Sequence, residues 1–409
     1  MRVTLTAEAV VHGGETLARH EGRVVFLRGA APGDVVEAEL TGEGRFERAR
    51  PLRILQRGGV RVDPPCAIVD RCGGCPVQHV AYEAQLAAKQ ELTADALERI
   101  GGFARSSYEL AAIVPSPRQF RYRRRARLHR AAGGGWGFAH PGSTAVEPVE
   151  ECLLFEPLLQ ELADVARGAG ELAGVSDLGL LAGETKGAID LRVQGAVTPG
   201  LRRRAGRLLD HRLVRGVTLQ GATLGDPVIA DPALANGARL RARPDTFAQA
   251  NRVMVPRLAA EAARALGGAR HVLELFCGSG TLTLPLLGED RRVTGVENAG
   301  SSLALLRRSA DEAGLAVKLV AGDAAEVVRA FEGPLEAVLL DPPRTGSADA
   351  VRALASLGPP RVVYVSCDAP TLARDGRILA QAGYRLVRAV PLDLFPQTAH
   401  FEVVATFTR

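Results

Sequence analysis

The chain has 409 residues, of which 46% are hydrophobic and 24% are charged. This length suits two or three domains, and the composition excludes a disordered chain, a collagen-like chain and a small disulfide scaffold. The formal net charge is +5, a mild indication of an anionic partner. Since no apolar run reaches the roughly 18 residues of a membrane span and MRVTLTAEAV lacks a signal-peptide core, we expect a cytoplasmic protein without membrane association.

The first predicted elements are short strands. Residues 1–57 alternate between apolar and polar positions on both sides of a turn signal, the segment Ala31-Pro32-Gly33-Asp34. Several strands in so short a segment predict a small β-barrel. Residues 79–100 predict a helix that ends at Gly101-Gly102.

Three cysteines lie close together in the segment CAIVDRCGGC: Cys66, Cys72 and Cys75. Clustered thiols in a cytoplasmic chain indicate metal or redox chemistry rather than disulfides. A fourth ligand must come from a distant residue, and Cys152 is the remaining cysteine outside the C-terminal third. The spacing is compatible with Zn²⁺ or with an iron–sulfur cluster, and buried structural thiols are the alternative.

Residues 105–245 mix strand-like runs with helical stretches near 153–168 and 200–209. The segment RQFRYRRRARLHR, residues 118–130, holds seven arginines with Phe120 and Tyr122 between them. This composition suits phosphate contact and base stacking, and a strand with a solvated basic face is the alternative. Three further arginines, expected on a helix surface, follow later: Arg202, Arg203 and Arg204.

From residue 246 onward strands and helices alternate, which predicts a doubly wound parallel sheet. The segment HFEVVATFTR should pair with the last strand of the series as a hairpin. The strands are predicted near residues 271–276, 292–297, 317–321, 336–340, 361–366 and 385–392.

The first strand of this series carries a cofactor signal, because HVLELFCGSGTLTLPLL reads as strand, glycine turn and helix. Gly278 and Gly280 allow close approach of a ligand, but Thr283 stands where a dinucleotide fingerprint needs Gly or Ala. Glu297 and Asp323 end the next two strands, where ligands of open α/β sheets bind. S-adenosylmethionine, which needs no phosphate site, fits this pattern, and a dehydrogenase is the alternative.

The next strands end in chemically active groups. Asp341 follows one strand in LLDPPRTG, Cys367 follows the next in VVYVSCD, and the hairpin brings His400 and Glu402 to the same edge. A thiol, a carboxylate and a methyl donor then converge on one crevice. Inert packing is the alternative for Cys367 and the favoured interpretation of Cys277, and His400 suits a core role as well as a catalytic one.

These residues resemble the RNA uracil-5-methyltransferases, which make 5-methyluridine in tRNA and rRNA, over nearly the whole chain. DPPRTG followed by VVYVSC and Thr371 is similar to the nucleophile signature of the family, and LDLFPQTAHFE to its second signature. TFAQAN has the pattern Phe247, Gln249 and Asn251. Residues 1–57 resemble the TRAM barrel of the rRNA-modifying branch.

The resemblance implies Cys367 as nucleophile and Glu402 as general base. It also implies a [4Fe-4S] cluster on four ligands: Cys66, Cys72, Cys75 and Cys152. With the glycine turn and the strand ends included, the expected contacts of S-adenosylmethionine are Gln249, Phe276, Gly278, Gly280, Thr281, Glu297, Asp323 and Asp341.

Three residues depart from the family pattern. Thr281 stands where Asn is usual, Glu274 replaces an Asp, and Asp368 follows the nucleophile where Asn is usual. A carboxylate at position 368 is expected to raise the pKa of the thiol unless a cation pairs with it.

The sequence therefore predicts a Rossmann-like class I S-adenosylmethionine methyltransferase domain (246–409), an N-terminal OB-like TRAM barrel (1–57) and a mixed α+β central domain with the cluster (58–245). The expected reaction is methylation of C5 of a uridine in 23S rRNA. Alternatives are a tRNA uridine, an RNA amino-methyltransferase, or an RNA-binding protein without catalysis. We expect a monomer without an obligatory protein partner.

Overall fold

A closed barrel forms the N-terminal part of the computed structural model, which describes residues 1–41, 46–170, 172–288 and 290–409. Its strands are β1 (Arg2–Val10), β2 (Thr16–His20), β3 (Arg23–Leu27), β4 (Val35–Leu40) and β5 (Glu47–Gln56). They follow one another around the barrel in the order β1-β2-β3-β5-β4. Alternate side chains such as Leu5, Val25 and Val36 fill the interior, as the alternating sequence predicts. The predicted barrel is confirmed.

A long helix, α1 (Tyr82–Arg99), follows the cysteine segment and leads to a short strand, β6 (Glu109–Leu110). The helix begins three residues later than predicted and ends before the predicted Gly101-Gly102. Gly102 has φ +76°, and its N–H donates to the carbonyl of Glu98 at 3.1 Å. A left-handed residue of this kind ends a helix at low steric cost only when it is glycine.

The central region is a mixed sheet with strand order β13-β12-β11-β10-β7-β8-β9. Its helix α2 packs Leu159, Leu162 and Ala163 against the sheet, and the proline at its first turn explains why it begins later than predicted. The elements are β7 (Arg125–Arg130), β8 (Trp136–Ala139), β9 (Val146–Pro148), α2 (Pro157–Gly168), β10 (Val175–Ala182), β11 (Gly187–Val193), α3 (Pro199–Arg207), β12 (Val214–Leu219) and β13 (Ala222–Gly225).

The C-terminal sheet has the order β18-β17-β16-β19-β20-β22-β21-β6. Strands β16 to β20 are parallel, and β22 is antiparallel to both of its neighbours. The predicted hairpin is therefore confirmed. The elements are β14 (Ile229–Ala233), β15 (Arg239–Ala242), α4 (Val255–Leu266), β16 (His271–Leu275), α5 (Thr283–Leu286), β17 (Arg292–Glu297), α6 (Gly300–Glu312), β18 (Lys318–Ala321), α7 (Ala324–Arg329), β19 (Ala337–Leu340), α8 (Ala348–Leu357), β20 (Arg361–Ser366), α9 (Ala369–Gln381), β21 (Arg385–Leu392) and β22 (Glu402–Thr408).

Helices cover both faces of this sheet, so consecutive strand residues are buried on opposite sides. Val272 belongs to one apolar core and Leu273 to the other, and Val363 and Tyr364 are divided in the same way. A parallel sheet that is buried on both faces needs such continuous apolar runs. Within the described residues, no helix combines the length and the apolar character that a membrane span requires.

Three elements of the predicted central domain pack on the C-terminal domain: β6, α1 and the β14–β15 hairpin. Strand β6 pairs in parallel with β21, and α1 lies against α9. Ala238 and Leu240, in the β14–β15 hairpin, belong to the same apolar core as α4. The pairing of β6 covers β21, which would otherwise be an exposed edge strand.

Candidate active site

The chain runs from β16 through β17 to β18 on one side of β16 and then crosses to β19 on the other side, so the strand order reverses at β16. Open α/β sheets bind ligands at the carboxyl ends of the strands at such a point. Phe276 has φ +61° in the turn after β16, although it is not glycine. A Cβ at Gly280 would lie 2.4 Å from Leu306, whereas one at Gly278 would meet nothing within 4 Å. Gly280 therefore serves close packing on α6, and Gly278 faces open space. Thr281 is half-buried in the same turn.

Glu297 joins the turns that follow β16 and β17. One carboxylate oxygen accepts from the N–H of Gly278 at 3.1 Å, and the other accepts from the N–H of Ala299 at 2.8 Å. Asp323 accepts from the N–H groups of Ala325 and Glu326, so it caps helix α7. The sequence did not distinguish this structural role of Asp323 from a ligand contact.

The segment that carries Gln249 is fixed between the central sheet and the C-terminal hairpin. Gln249 is buried, and its carbonyl accepts from the guanidinium of Arg124 at 3.1 Å. The amide of Asn251 donates to the hydroxyl of Ser116 and to the carbonyl of Leu394. Phe247 is 61% exposed.

Cys367 follows β20 and lies between two carboxylates. On one side of β20 is β19, which is followed by Asp341, and on the other side is β22, which begins at Glu402. Ser366 pairs with Val403, and continuing this antiparallel register by one residue places Cys367 opposite Glu402. The three residues that sequence analysis assigned to one edge are therefore brought together.

Burial and neighbouring charges control the ionisation of these groups. Burial raises the pKa of the Cys367 thiol to about 11, and the charge of Glu402 adds to this effect. Burial also raises the pKa of Asp341 to about 7 and that of Glu402 above its usual range. One carboxylate oxygen of Glu402 is buried without a hydrogen-bond partner in the described part of the chain.

Arg344 opposes these shifts, and sequence analysis missed it. Its positive charge and a hydrogen bond lower the pKa of Cys367, and its charge also lowers the pKa of Glu402. The backbone carbonyl of Arg344 accepts from the hydroxyl of Thr371 at 3.1 Å, which ties this loop to α9. The signal was present in the sequence, because Arg344 is the cation of the motif DPPRTG.

Asp368 contacts two other groups. One of its oxygens accepts from the N–H of Thr371 at 2.9 Å and caps α9, and the other lies 3.5 Å from Nε2 of His12. The raised pKa of Cys367 comes from burial and from Glu402 as the largest contributions. The carboxylate of Asp368 is engaged by a helix terminus and a histidine.

Glu274, behind the glycine turn, is a second buried carboxyl group. It is 2% exposed, and burial raises its pKa to about 8, with a further contribution from the charge of Asp341. His400 is half-buried, and burial lowers its pKa to about 4, so its imidazole is neutral. Its ring packs edge-to-face against Phe395. Cys277 is buried, which agrees with the predicted packing role.

Helix α1 holds the loop between β21 and β22 in place. Lys89 donates to the carboxylate of Asp393 at 2.6 Å and to the carbonyl of Phe395 at 3.2 Å, and the ion pair is buried. The amide groups of Gln85 and Gln397 exchange two hydrogen bonds, Gln85 side chain to Gln397 side chain and Gln397 backbone to Gln85 side chain. This loop precedes Glu402, so α1 fixes the approach of the carboxylate.

The four predicted ligand cysteines line one cavity of about 530 Å³. Burial raises the pKa of Cys75, and the charges of Cys152, Cys72 and Cys66 add to it, as expected for neighbouring thiols. Within the described residues, however, no three His, Cys, Asp or Glu side chains converge as ligands of a single metal ion do. The same cavity is lined by Arg344 and three residues of the β21–β22 loop: Phe395, Thr398 and His400.

The arginine-rich segment is only partly available to a ligand. Arg124 forms a buried ion pair with Asp231, and the hydroxyl of Tyr122 donates to the carbonyl of Pro396 at 3.0 Å in the interior. Tyr122 therefore cannot stack on a base, contrary to expectation, because this part of the chain is sandwiched between two domains. Arg202 and Arg203 lie exposed on α3, as predicted.

Two family models and several known proteins match this chain. The family model described as tRNA (Uracil-5-)-methyltransferase matches residues 235–409, and the TRAM domain model matches residues 1–42. The chain is 35% identical to the Pseudomonas aeruginosa 23S rRNA (uracil(1939)-C(5))-methyltransferase RlmD, over 98% of this chain and 93% of that protein. The RlmD protein of Shewanella amazonensis is 32% identical over 99% and 95%. This chain belongs to the RNA uracil-5-methyltransferase family.

A solved structure of an RNA uracil-5-methyltransferase has the same fold. The Pyrococcus abyssi tRNA (uracil-54, C5)-methyltransferase, determined with S-adenosyl-L-homocysteine, superposes with a TM-score of 0.78 and covers 99% of both chains at 21% identity. The predicted combination of a class I methyltransferase domain with an N-terminal barrel is confirmed. Family membership also confirms that the protein is a transferase.

Proposed function

We propose that this RNA uracil-5-methyltransferase transfers a methyl group to C5 of a uridine in 23S rRNA. The observation that carries the proposal is the position of Cys367 between Asp341 and Glu402 at the carboxyl edge of the sheet. The full-length similarity to proteins named as 23S rRNA methyltransferases supports the choice of RNA.

S-adenosylmethionine supplies an electrophilic methyl group on a sulfonium sulfur. The residues proposed to hold it surround the open turn after β16, where Glu297 already joins two strand ends and Gly278 leaves space for a ligand. Buried carboxyl groups suit a cationic ligand, because a nearby positive charge favours their ionised forms. The proposed contacts are Gln249, Phe276, Gly278, Gly280, Thr281, Glu297, Asp323 and Asp341.

The chemistry assigns one role to each of three side chains. The Cys367 thiolate forms a bond to C6 of uracil, which places electron density on C5 so that C5 can accept the methyl group. Arg344 stabilises the thiolate form. Glu402 then removes the proton from C5, and the electrons of that C–H bond re-form the C5–C6 double bond as the sulfur leaves.

The four cysteines are proposed to hold a [4Fe-4S] cluster. They line a common cavity without converging on one point, which fits a group larger than a single Zn²⁺ with its sulfur ligands at about 2.3 Å. When bound, the cluster would supply a rigid cross-link between the segment that holds Cys66, Cys72 and Cys75 and the distant Cys152. That cross-link lies beside the loop that precedes Glu402.

The test of the proposed substrate is methylation of purified, unmodified 23S rRNA and tRNA side by side, followed by mass mapping of 5-methyluridine. We expect labelling of one or a few uridines in 23S rRNA. Robust labelling of tRNA with none on rRNA would assign the protein to tRNA instead. Labelling of an exocyclic amine in either RNA would contradict the uracil reaction.

A further inference from the structure

The turn that joins the first two strands of the N-terminal barrel reaches the catalytic region. We call residues 11–15, between β1 and β2, the barrel turn; the N–H of Val11 donates to the carbonyl of Glu15 at 2.8 Å and closes it. His12 lies at its tip with a side chain that is 56% exposed. The barrel is matched by the TRAM domain model, so this turn belongs to the part of the chain expected to meet RNA.

Two contacts dock the barrel turn onto the methyltransferase domain. Nε2 of His12 lies 3.5 Å from a carboxylate oxygen of Asp368, the residue after Cys367. Gly14 has φ +84°, and a Cβ there would lie 2.8 Å from Pro76 and 3.3 Å from Ala399. The turn therefore packs both on the residue that follows the cysteine segment and on the loop that precedes Glu402.

Asp368 is well placed to transmit this contact to Cys367. Its second oxygen caps α9, and its backbone exchanges hydrogen bonds with the hydroxyl of Ser366 on the other side of the cysteine. Cys367 is thus held between two residues whose positions depend on one another. An Asn at position 368 could also cap the helix through its oxygen, but it would lack the negative charge that faces His12.

We propose that His12 is a positioning residue for Cys367: by contacting Asp368 it couples docking of the barrel to the placement of the nucleophile. The barrel then contributes to the rate of the chemical step and not only to RNA affinity. This inference rests on the proposed function, since it assigns a partner to the nucleophile of that reaction.

The first test measures the initial rate of 23S rRNA methylation over a range of RNA concentrations up to saturation. His12→Ala should lower the saturating rate about tenfold, equivalent to about 1.4 kcal/mol, while KM changes less than about twofold. In an Asp368→Asn background the same change should have an effect of less than about threefold. A raised KM with an unchanged saturating rate, or an equal effect in both backgrounds, would overturn the proposal.

His271→Ala is the matched control. His271 lies 3.1 Å from Glu336, so it also belongs to a histidine–carboxylate pair. This pair is at the amino ends of β16 and β19, away from the carboxyl ends where Cys367 lies. It should leave the saturating rate unchanged. A tenfold loss in this variant would show that removal of any such pair disturbs the sheet, and would refute a specific role for His12.

A second readout does not depend on the substrate. Amide hydrogen exchange of residues 366–372 should become faster in His12→Ala than in wild type, because the contact that restrains Asp368 is removed. Unchanged exchange would overturn the inference even if methylation were slower. Faster exchange in a protein that methylates no rRNA would support the coupling and contradict the proposed substrate, so the two failures are distinguishable.

Discussion

Asp341 and Glu402 lie on either side of β20, the strand that Cys367 follows, and the negative charge of Asp341 adds to burial in raising the pKa of Glu402. Two carboxyl groups whose charges act on one another do not ionise independently. This relationship explains how a carboxyl group at the edge of the sheet can accept a proton from carbon, because a base with a raised pKa is a stronger base.

Glu402→Gln should separate the two halves of the reaction. The variant retains Cys367, so attack on C6 and methyl transfer should proceed, but the C5 proton should remain in place and the sulfur should not leave. A protein–RNA complex that survives denaturation should accumulate on natural substrate, as seen by gel shift. The Cys367→Ala/Glu402→Gln double variant should give no such complex. Turnover of Glu402→Gln at the wild-type rate would show that another group removes the proton.

The methylation rate should rise with pH from acid to alkaline conditions, because Cys367 and Glu402 both act in their ionised forms and both have raised pKa values. Arg344→Gln should move this profile to higher pH, since the guanidinium lowers both pKa values. The matched control is Arg352→Gln, an exposed arginine on α8, which should leave the profile in place. A profile of Arg344→Gln that coincides with that of wild type would refute the role of Arg344.

Glu274 should make folding stability depend on pH. Burial raises its folded pKa to about 8, from the usual 4.5 of a glutamate in water. Its contribution is therefore full below pH about 4.5 and is lost as pH rises through about 8, a change of at most about 5 kcal/mol. Glu274→Gln should gain stability relative to wild type between pH 6 and pH 9 in urea unfolding.

Glu312→Gln is the control for this experiment. Glu312 lies on α6 of the same domain and has a lowered pKa because of a hydrogen bond from the guanidinium of Arg308, which stays charged, so its contribution is lost only in acid. The difference between Glu312→Gln and wild type should be constant from pH 6 to pH 9. A constant difference for Glu274→Gln as well would contradict the raised pKa of Glu274.

The cavity lined by the four cysteines is predicted to hold an iron–sulfur cluster. Protein purified without oxygen should be brown and carry about four irons per chain. Cys152→Ser should lose most of the iron, because it removes the ligand that lies far from the other three in the sequence, whereas Cys277→Ser should keep it. Stoichiometric zinc without iron in anaerobic protein would refute the cluster.

Most elements of the C-terminal domain followed from the sequence. Buried parallel strands have continuous apolar runs that mark where each strand ends. The chain order of these runs therefore placed Glu297, Asp341 and Cys367 at the carboxyl ends of three strands. The hairpin was predictable because the strand at 385–392 and the last strand follow one another in the chain, joined by the loop 393–401. Local patterns of this kind depend only on neighbours in the chain.

The contacts between distant segments did not follow from the sequence. His12 meets Asp368, and Lys89 meets Asp393, across more than three hundred residues of chain. Tyr122 looked like a stacking residue because its neighbours are arginines, yet it is buried by the loop that follows β21. No periodicity encodes which surface will face another, so only the folded chain shows these relationships.

The covalent role of Cys367 is the central claim, and trapping with RNA that carries 5-fluorouridine tests it most directly. Fluorine cannot leave C5 as a proton does, so wild-type protein should form a stable adduct, and mass spectrometry of the digested complex should locate the RNA on Cys367. Cys367→Ala should form no adduct and no 5-methyluridine, while retaining binding of S-adenosylmethionine. Methylation by Cys367→Ala, or an adduct on another residue, would contradict the account.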